Sequence, residues 1–258
     1  MFKVTLTSDS GSIMLTNNPA YTVTSVSGLD PANANVNLSE NALFDGATFN
    51  SSKVSTRNIV INFAINKPAG TNRVQLYKTV KPKRSIRVYV ENSGRKAYID
   101  GYVESLSVDM FAGKEVAQIS ILCPYPFFTD KASPYTATGD MVLTADNSGD
   151  VETGLNITIT ANGGEVFNPY IQNMNTGDTM TIRQNMLDGD IITINTNTGK
   201  RSVTLTRSGT TTNIINALDL TSKWLTLGLG TNEFEILSAF GEVYIQSQVT
   251  YNVLYQGV

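Results

Sequence analysis

The stretch RNIVINFAIN, residues 57–66, carries the clearest structural pattern in the chain. Ile59, Ile61, Phe63 and Ile65 alternate with smaller or polar residues, chiefly asparagine. A period of two places the four large apolar side chains on one face of a β-strand and the polar ones on the other. The stretch therefore predicts a strand that has one face in a hydrophobic core.

The same alternation recurs on the C-terminal side of this strand. It appears in residues 86–90, returns after the turn at 92–94 in residues 98–108, and appears again in 117–123. Between these strands, Val74, Tyr77 and Val80 recur at three-residue spacing, which favours a helix. A helix among strands predicts an α+β N-terminal domain in which the helix covers one face of a sheet.

The C-terminal half is expected to be all-β. GDTMTI (177–182) is followed twelve residues later by GDIITI (189–194), and each Gly-Asp turn starts a short strand. This spacing is typical of a sandwich or barrel. The last strand, residues 243–253, alternates apolar positions with a polar face that includes Gln246, Gln248 and Thr250.

The pattern weakens in TDKASPYTATGD (129–140), which is polar and rich in turn formers. We place a boundary there and predict two domains, 1–130 and 131–258. The fold class is mainly β.

Composition restricts the chemistry that the chain performs. The 258 residues include no histidine and one cysteine, so Ser-His-Asp and Cys-His arrangements and internal disulfides are excluded. Asp188 and Asp190 flank a glycine, but position 12 of an EF-hand beginning at Asp188 is Gly199, so these residues predict a turn. We expect no enzyme activity, no catalytic residues, no metal and no cofactor. Neither a signal peptide nor a membrane span is expected.

A basic run is the first candidate interaction site. Ten positions hold five of the 19 basic residues in a chain of net charge −3. A charge run of this kind is either a solvated face or, in an oligomer, a positive ring or inter-subunit surface facing DNA or an acidic partner. The residues are Lys78, Lys81, Lys83, Arg84 and Arg87.

The second candidate is CPYPFF (123–128), which we interpret as a structural hinge. The lone cysteine has no chemical partner and is expected to be a small buried hydrophobe. The two prolines remove donors and stop the preceding strand from continuing within a central ladder. The hinge residues are Cys123, Pro124, Tyr125, Pro126, Phe127 and Phe128.

Aromatic side chains on or beside strands admit two interpretations. They are stacking platforms of a carbohydrate-binding sandwich, or they are core and sheet-face residues, which is the more common role of aromatics in strands. The residues concerned are Tyr89, Tyr98, Tyr102, Trp224, Tyr244, Tyr251 and Tyr255.

Several segments together resemble the distal tail protein family of long-tailed phages and prophages of Gram-positive bacteria. In order, they carry an Arg-Asn-Ile strand, a Leu-Tyr-Lys helix with a basic strand, a Gly-Tyr-Val-Glu segment and a Cys-Pro-x-Pro-aromatic closure. The C-terminal half adds three more similar segments. One departure is Leu229-Gly230, where a Pro-Gly turn is common. The segments are 28–61, 73–90, 98–111, 117–128, 189–209, 223–234 and 254–258.

The resemblance implies a structural protein that forms a homohexameric ring at the tip of a tail tube. The first domain would build the ring from a β-barrel-like core and one helix. The second would be a galectin-like β-sandwich that in some phages holds receptor-binding proteins. Tail tube protein and tail-tip protein would be the partners, and DNA would pass through the ring. Such a protein is assembled in the host cytoplasm and resides in the virion. The alternatives are a carbohydrate-binding adhesion module, a tail tube protein, and an enzyme, which would need an acidic pair or a metal site assembled by the fold.

Overall fold

A computed structural model describes residues 2–40, 42–43 and 45–258 of the chain. The chain divides into two compact units. The first runs to Lys131 and also contains Tyr255–Val258, and the second comprises Ala132–Leu254. The mainly β fold class predicted from the sequence is confirmed. Among the described residues, no helix is both long and apolar enough to cross a membrane.

The first unit is built on one antiparallel sheet, whose main path runs β2-β1-β7-β8-β9-β6-β3. The one α-helix among the described residues of this unit follows β6, as predicted. The elements are β1 (Lys3–Ser8), β2 (Gly11–Met14), β3 (Tyr21–Ser27), β4 (Ala34–Glu40), β5 (Ala47–Val54), β6 (Arg57–Ile65), α1 (Ala69–Thr79), β7 (Ser85–Glu91), β8 (Lys96–Asp109), β9 (Val116–Cys123) and β10 (Phe128–Asp130).

Alternation in β6 produces the core of the first unit. Ile59, Ile61, Phe63 and Ile65 are all buried, as the period-two pattern predicted. They pack in one cluster with the inward residues of the neighbouring strands and with Leu76 of α1. Burial of such large side chains contributes about 1.5–3 kcal/mol each to folding, so this strand is central to the stability of the unit.

The helix α1 exists, but its predicted apolar face is wrong. Val74 and Tyr77 are 51% and 43% exposed, whereas Leu76 is fully buried. Thr79, at the last position of the helix, and Val80, immediately after it, are also buried. The helix buries a narrow strip, Leu76 and Thr79, and packs Ala69 partly buried against the same core, which differs from the face that three-residue spacing selects.

Gly101 lies in β8 beneath two side chains of β9. A Cβ atom added there would stand 2.7 Å from Cγ2 of Ile121 and 2.8 Å from Sγ of Cys123. Both contacts are shorter than packed carbon and sulfur atoms tolerate. Only glycine therefore fits at the start of the Gly-Tyr-Val-Glu segment.

The strands β4 and β5 form a two-stranded hairpin that pairs with no other strand of the described chain. Every residue of β4, and all but the last residue of β5, is exposed. The exposed side chains include Val36, Leu38 and Phe49. An isolated two-stranded hairpin is at best marginally stable in water.

The second unit contains a six-stranded antiparallel sheet, β11-β22-β13-β18-β19-β20, and a four-stranded one, β12-β21-β15-β16. β14 pairs with β17. The strands are β11 (Tyr135–Gly139), β12 (Val142–Asn147), β13 (Leu155–Ala161), β14 (Val166–Phe167), β15 (Tyr170–Asn173), β16 (Thr179–Thr181), β17 (Asn185–Met186), β18 (Ile191–Asn195), β19 (Ser202–Arg207), β20 (Thr210–Asn213), β21 (Gly230–Leu237) and β22 (Ile245–Tyr251). The last strand, β23 (Leu254–Tyr255), pairs with β10 in the sheet of the first unit.

Both larger sheets of the second unit bury one face. Ile157 and Ile194 of the six-stranded sheet, and Phe234 and Ile236 of the four-stranded sheet, are fully buried. Two half-buried antiparallel sheets fit the predicted sandwich. The two Gly-Asp turns start β16 and β18, as the sequence repeat predicted.

Candidate functional site

The basic run lies around the end of α1 and the turn between β1 and β2. Nζ of Lys81 donates a hydrogen bond to Oγ of Ser10 over 3.1 Å, and Arg84 faces Asp9 at 3.9 Å. Lys83 has a positive φ of 66° and is exposed. These three cations form an exposed cluster that is only partly offset by Asp9.

Arg87 is chemically separate from the rest of the run. Its Nε and Nη2 atoms bind the two carboxylate oxygens of Asp100 over 2.6 and 2.8 Å. The guanidinium also lies 4.0 Å from the ring centroid of Tyr98. The hydrogen bonds to Asp100 raise the pKa of Arg87. Lys78 is exposed in the last turn of α1. A ring or lumen role for these five residues stays a prediction.

Cys123 is buried, as predicted for a small hydrophobe. Burial raises the pKa of its thiol to about 12, so the sulfur stays protonated near neutral pH. Tyr125 and Phe127 make an edge-to-face contact with ring centroids 5.4 Å apart. Pro124 is exposed, and Phe128 is buried at the start of β10. All the residues of CPYPFF lie in the first unit, and their hinge role stays a prediction.

Arg57, the first residue of β6, is 3% exposed and binds four main-chain carbonyls. Nε donates to the carbonyl of Pro126 over 2.7 Å. Nη1 donates to Gly28 and Asp30 over 2.6 and 2.5 Å, and Nη2 donates to Gln256 over 2.6 Å. Burial lowers the pKa of this guanidinium. The side chain thus connects three segments of the first unit that are distant in sequence. We refer to it as the carbonyl clamp.

A second arginine holds the same C-terminal segment. Nη1 of Arg95 donates to the carbonyl of Gly257 over 2.5 Å, and its guanidinium lies 4.4 Å from the ring centroid of Tyr255. Sequence reasoning missed both arginines. The available signal was Arg57 itself, a charged residue in the same period-two register as the buried Ile59 and Ile61.

The outward side of the six-stranded sheet is an uncharged polar surface, which we call the threonine-rich face. Arg207 is the only charged residue in the six strands, and it pairs with Asp190. The outward residues are Thr136, Thr138, Asn156, Thr158, Thr160, Ile191, Thr193, Asn195, Ser202, Thr204, Thr206, Thr211, Asn213, Gln246, Gln248 and Thr250.

The outward side of the four-stranded sheet has a different character. It carries Asp146, Glu233 and Glu235. The two sheets therefore present an uncharged and an acidic surface, although their buried faces are both apolar.

A cleft of about 390 Å³ opens at one end of the threonine-rich face. It is bounded by β11, β22 and β13 and by the residue that follows β11. None of its lining residues is aromatic, so the stacking platform considered from the sequence is not found there. The lining residues are Thr138, Gly139, Asp140, Thr158, Thr160, Gln246, Ser247 and Gln248.

Comparison with known proteins gives a consistent result. Residues 148–255 match the family model described as siphovirus-type tail component, C-terminal domain. The structure is similar to that of SPP1 Dit (gp 19.1), described as a paradigm of hub adsorption apparatus in Gram-positive infecting phages. The TM-score is 0.71 at 11% identity, over 97% of this chain and 98% of that one. A chain of the phage p2 baseplate in its activated conformation with Sr aligns with a TM-score of 0.50 at 9% identity, over the same shares. No curated protein matches the sequence.

The match over 148–255 indicates the class of protein: this part of the chain is similar to the C-terminal domain of siphovirus-type tail components. The resemblance to the distal tail protein family is confirmed by that match and by a fold shared with SPP1 Dit along nearly the whole chain. The chain is therefore similar to Dit proteins of phage tails, by a family model over residues 148–255 and by fold along nearly its whole length.

Proposed function

We propose that six copies of this protein form a closed ring that acts as the hub at the distal end of the tail. In this role the first unit builds the ring, and the second unit, residues 132–254, forms a galectin-like sandwich. The ring connects the tail tube protein to the tail-tip protein, carries receptor-binding proteins and lets phage DNA pass. The protein resides in the virion after assembly in the host cytoplasm. The fold shared with SPP1 Dit supports this role.

The observation that carries self-assembly is the hairpin of β4 and β5. Leu38 and Phe49 pair directly across it, and they are 53% and 60% exposed. Val36 lies two residues before Leu38 and therefore on the same face, with 55% of its surface exposed. An apolar stripe on an otherwise unsupported hairpin requires a covering surface. In a closed ring every copy supplies one hairpin and receives another, so no stripe stays uncovered.

A receiving surface of matching chemistry lies in the first unit. Tyr102 of β8 and Leu122 of β9 pair directly across the sheet and are 53% and 41% exposed. Large apolar residues in a cross-strand pair are a natural contact for another apolar stripe. We infer that this pair lies in the interface between neighbouring copies.

The experiment is native mass spectrometry of the purified protein with two matched variants. Leu38→Ser with Phe49→Ser should abolish the hexamer while the circular dichroism spectrum is retained. Leu220→Ser with Leu229→Ser is the control, because these leucines are 102% and 58% exposed in the second unit. The control should form hexamers like the wild type.

The same variants are introduced into the phage, because a ring can also close on the growing tail. The hairpin variant should give tails that lack this protein, whereas the control should plate normally. Hexamers and normal plating of the hairpin variant would contradict the proposal. Long tubes of wild-type protein would instead favour the tail tube alternative.

The basic run provides a second test of the ring. Replacing Lys81, Lys83 and Arg84 with Glu reverses the charge of the exposed cluster around the turn of β1 and β2. If that cluster faces the lumen or a neighbouring copy, hexamers or infectivity decrease. If hexamers and plating are unchanged, the cluster lies neither in the interface between copies nor along the path of the DNA.

A further inference from the structure

We propose that the cleft on the threonine-rich face binds an uncharged saccharide unit of a glycan chain. The cleft lies wholly within the second unit, so this site does not depend on ring formation. For glycan binding, the sequence alone indicates aromatic side chains as the candidate residues. The structure directs attention to a different set, made of amides, hydroxyls and one carboxylate.

The first argument is that the polar side chains of the cleft have unused hydrogen-bonding capacity. In the described part of the chain, the side chains of Thr158, Thr160, Gln246 and Gln248 make no hydrogen bond to protein. Each glutamine amide offers two donors and an acceptor, and each threonine hydroxyl offers one donor and two lone pairs. Elsewhere on the same face threonines bind protein: Thr206 and Thr211 share a hydrogen bond of 2.8 Å.

The second argument is the arrangement imposed by the strand register. Gln248 pairs with Thr158 on one side and with Thr138 on the other, and Gln246 pairs with Thr160. Neighbouring strands lie about 4.8 Å apart, and residues two apart on a strand are separated by about 6.7 Å. The backbone positions that carry these donors and acceptors therefore form a regular grid, on the scale at which hydroxyl groups are spaced around a sugar ring.

The third argument is that the floor of the cleft is held rigidly. Ser247 is 5% exposed, and its Oγ lies 2.9 Å from the carbonyl oxygen of Gly139 and 2.6 Å from that of Asp140. These contacts fix the end of β11 against β22. A site that is already ordered loses less entropy when a ligand binds.

Charge selects the class of ligand. Asp140 is the only charged residue lining the cleft, and its carboxylate is suited to accept hydrogen bonds from sugar hydroxyls. No lining residue is a cation, so a phosphate-rich or uronic polymer would meet repulsion without compensation. No large apolar side chain lines the cleft either, which disfavours a hydrophobic peptide. A neutral polyhydroxylated ligand matches both features.

The affinity of one site should be low. Without an aromatic platform, binding relies on hydrogen bonds that replace hydrogen bonds to water, each of which contributes little net free energy. We expect a dissociation constant on the order of 1 mM for an oligosaccharide. Several copies held in one assembly would raise the effective affinity for a repetitive glycan through multivalency.

The test is an NMR titration of the full chain with named oligosaccharides. The neutral probes are maltoheptaose, β-1,4-galactotetraose, chitotetraose and a rhamnose tetrasaccharide, each raised to roughly ten times the expected dissociation constant. Poly(glycerol phosphate) is the charged probe. At least one neutral probe should shift the backbone signals of β13 and β22 and the side-chain amide signals of Gln246 and Gln248 in a saturable manner.

Two matched variants locate the site. Thr158→Val with Gln248→Ala removes two hydrogen-bonding side chains and should weaken binding about tenfold. Thr144→Val with Gln172→Ala makes the same changes on the outward side of the four-stranded sheet and should leave binding unchanged. Both variants should melt like the wild type. Absence of saturable shifts with every neutral probe overturns the proposal, and this is the outcome expected if the face is only solvated. Equal binding by both variants, or binding of the charged polymer alone, overturns it as well.

Discussion

The carbonyl clamp leads to a specific prediction about stability. Arg57→Met keeps much of the length and apolar volume of the side chain but removes all four hydrogen bonds to Pro126, Gly28, Asp30 and Gln256. At about 1 kcal/mol of net stability for each bond, the loss is about 4 kcal/mol. This is a large share of the roughly 5–15 kcal/mol that stabilises a domain.

Two optical signals separate the units in this experiment. The chain has one tryptophan, Trp224, which lies in the second unit. Its fluorescence follows the second unit, whereas far-ultraviolet circular dichroism follows both. We expect Arg57→Met to lower the melting temperature of the first unit by about 10 °C or more. The fluorescence transition of Trp224 should stay where it is.

Arg84→Met is the matched control, because its side chain is 65% exposed and lies 3.9 Å from Asp9. It should change stability by less than about 0.5 kcal/mol. A third measurement follows the C-terminal segment directly: carboxypeptidase should remove residues 255–258 faster from Arg57→Met than from Arg84→Met. Identical melting and identical digestion of the two variants would refute the reasoning, as would an equal shift of the Trp224 transition.

Three further predictions concern single residues. Gly101→Ala forces a Cβ to within 2.7 Å of Ile121 and should cost about 1–3 kcal/mol by overpacking, measured by thermal denaturation; serine at the same position should cost at least as much. The thiol of Cys123, whose pKa is about 12, should not react with Ellman's reagent in the native protein at pH 8 and should react fully in denaturant; rapid native labelling would contradict its burial. Hydrogen bonds from Thr221 and Arg183 hold the pKa of Asp219 at about 2, below its ordinary 3.8, so its stabilising contribution is present above pH 4 and is lost as the pH falls toward 2. In Asp219→Asn the melting temperature should therefore decrease less between pH 4 and pH 2 than in the wild type. An equal decrease in both proteins would contradict the low pKa of Asp219.

Strand positions were predictable where the signal is local. The alternation of Ile59, Ile61 and Phe63 specifies both the strand and its buried face, because a period of two is a property of neighbouring residues alone. The Gly-Asp turns are local signals as well. The buried side of α1 depends instead on how the helix meets the sheet, and Leu76 rather than Val74 proved to be the contact residue.

Long-range contacts were not predictable. The acceptors of Arg57 are main-chain carbonyls, which have no side-chain identity to recognise, and Gln256 lies 199 positions away. Only some of the residues that line the cleft could be placed from the sequence. The sequence places Gln246 and Gln248 on the polar face of the last long strand, but their neighbours in β11 and β13 follow only from the strand order.

Residues 255–258 give the chain the layout of an insertion. The first unit contains sequence from before and after the second, so residues 132–254 interrupt it. A truncation from the C-terminus would remove part of the first unit before it reached the second. A nick within 132–254 would leave two fragments that both retain a portion of the first unit, held together there by the carbonyl clamp and by Arg95. Exchange of the second unit for another module therefore requires replacement at both boundaries, and a foreign domain with adjacent termini is the suitable substitute.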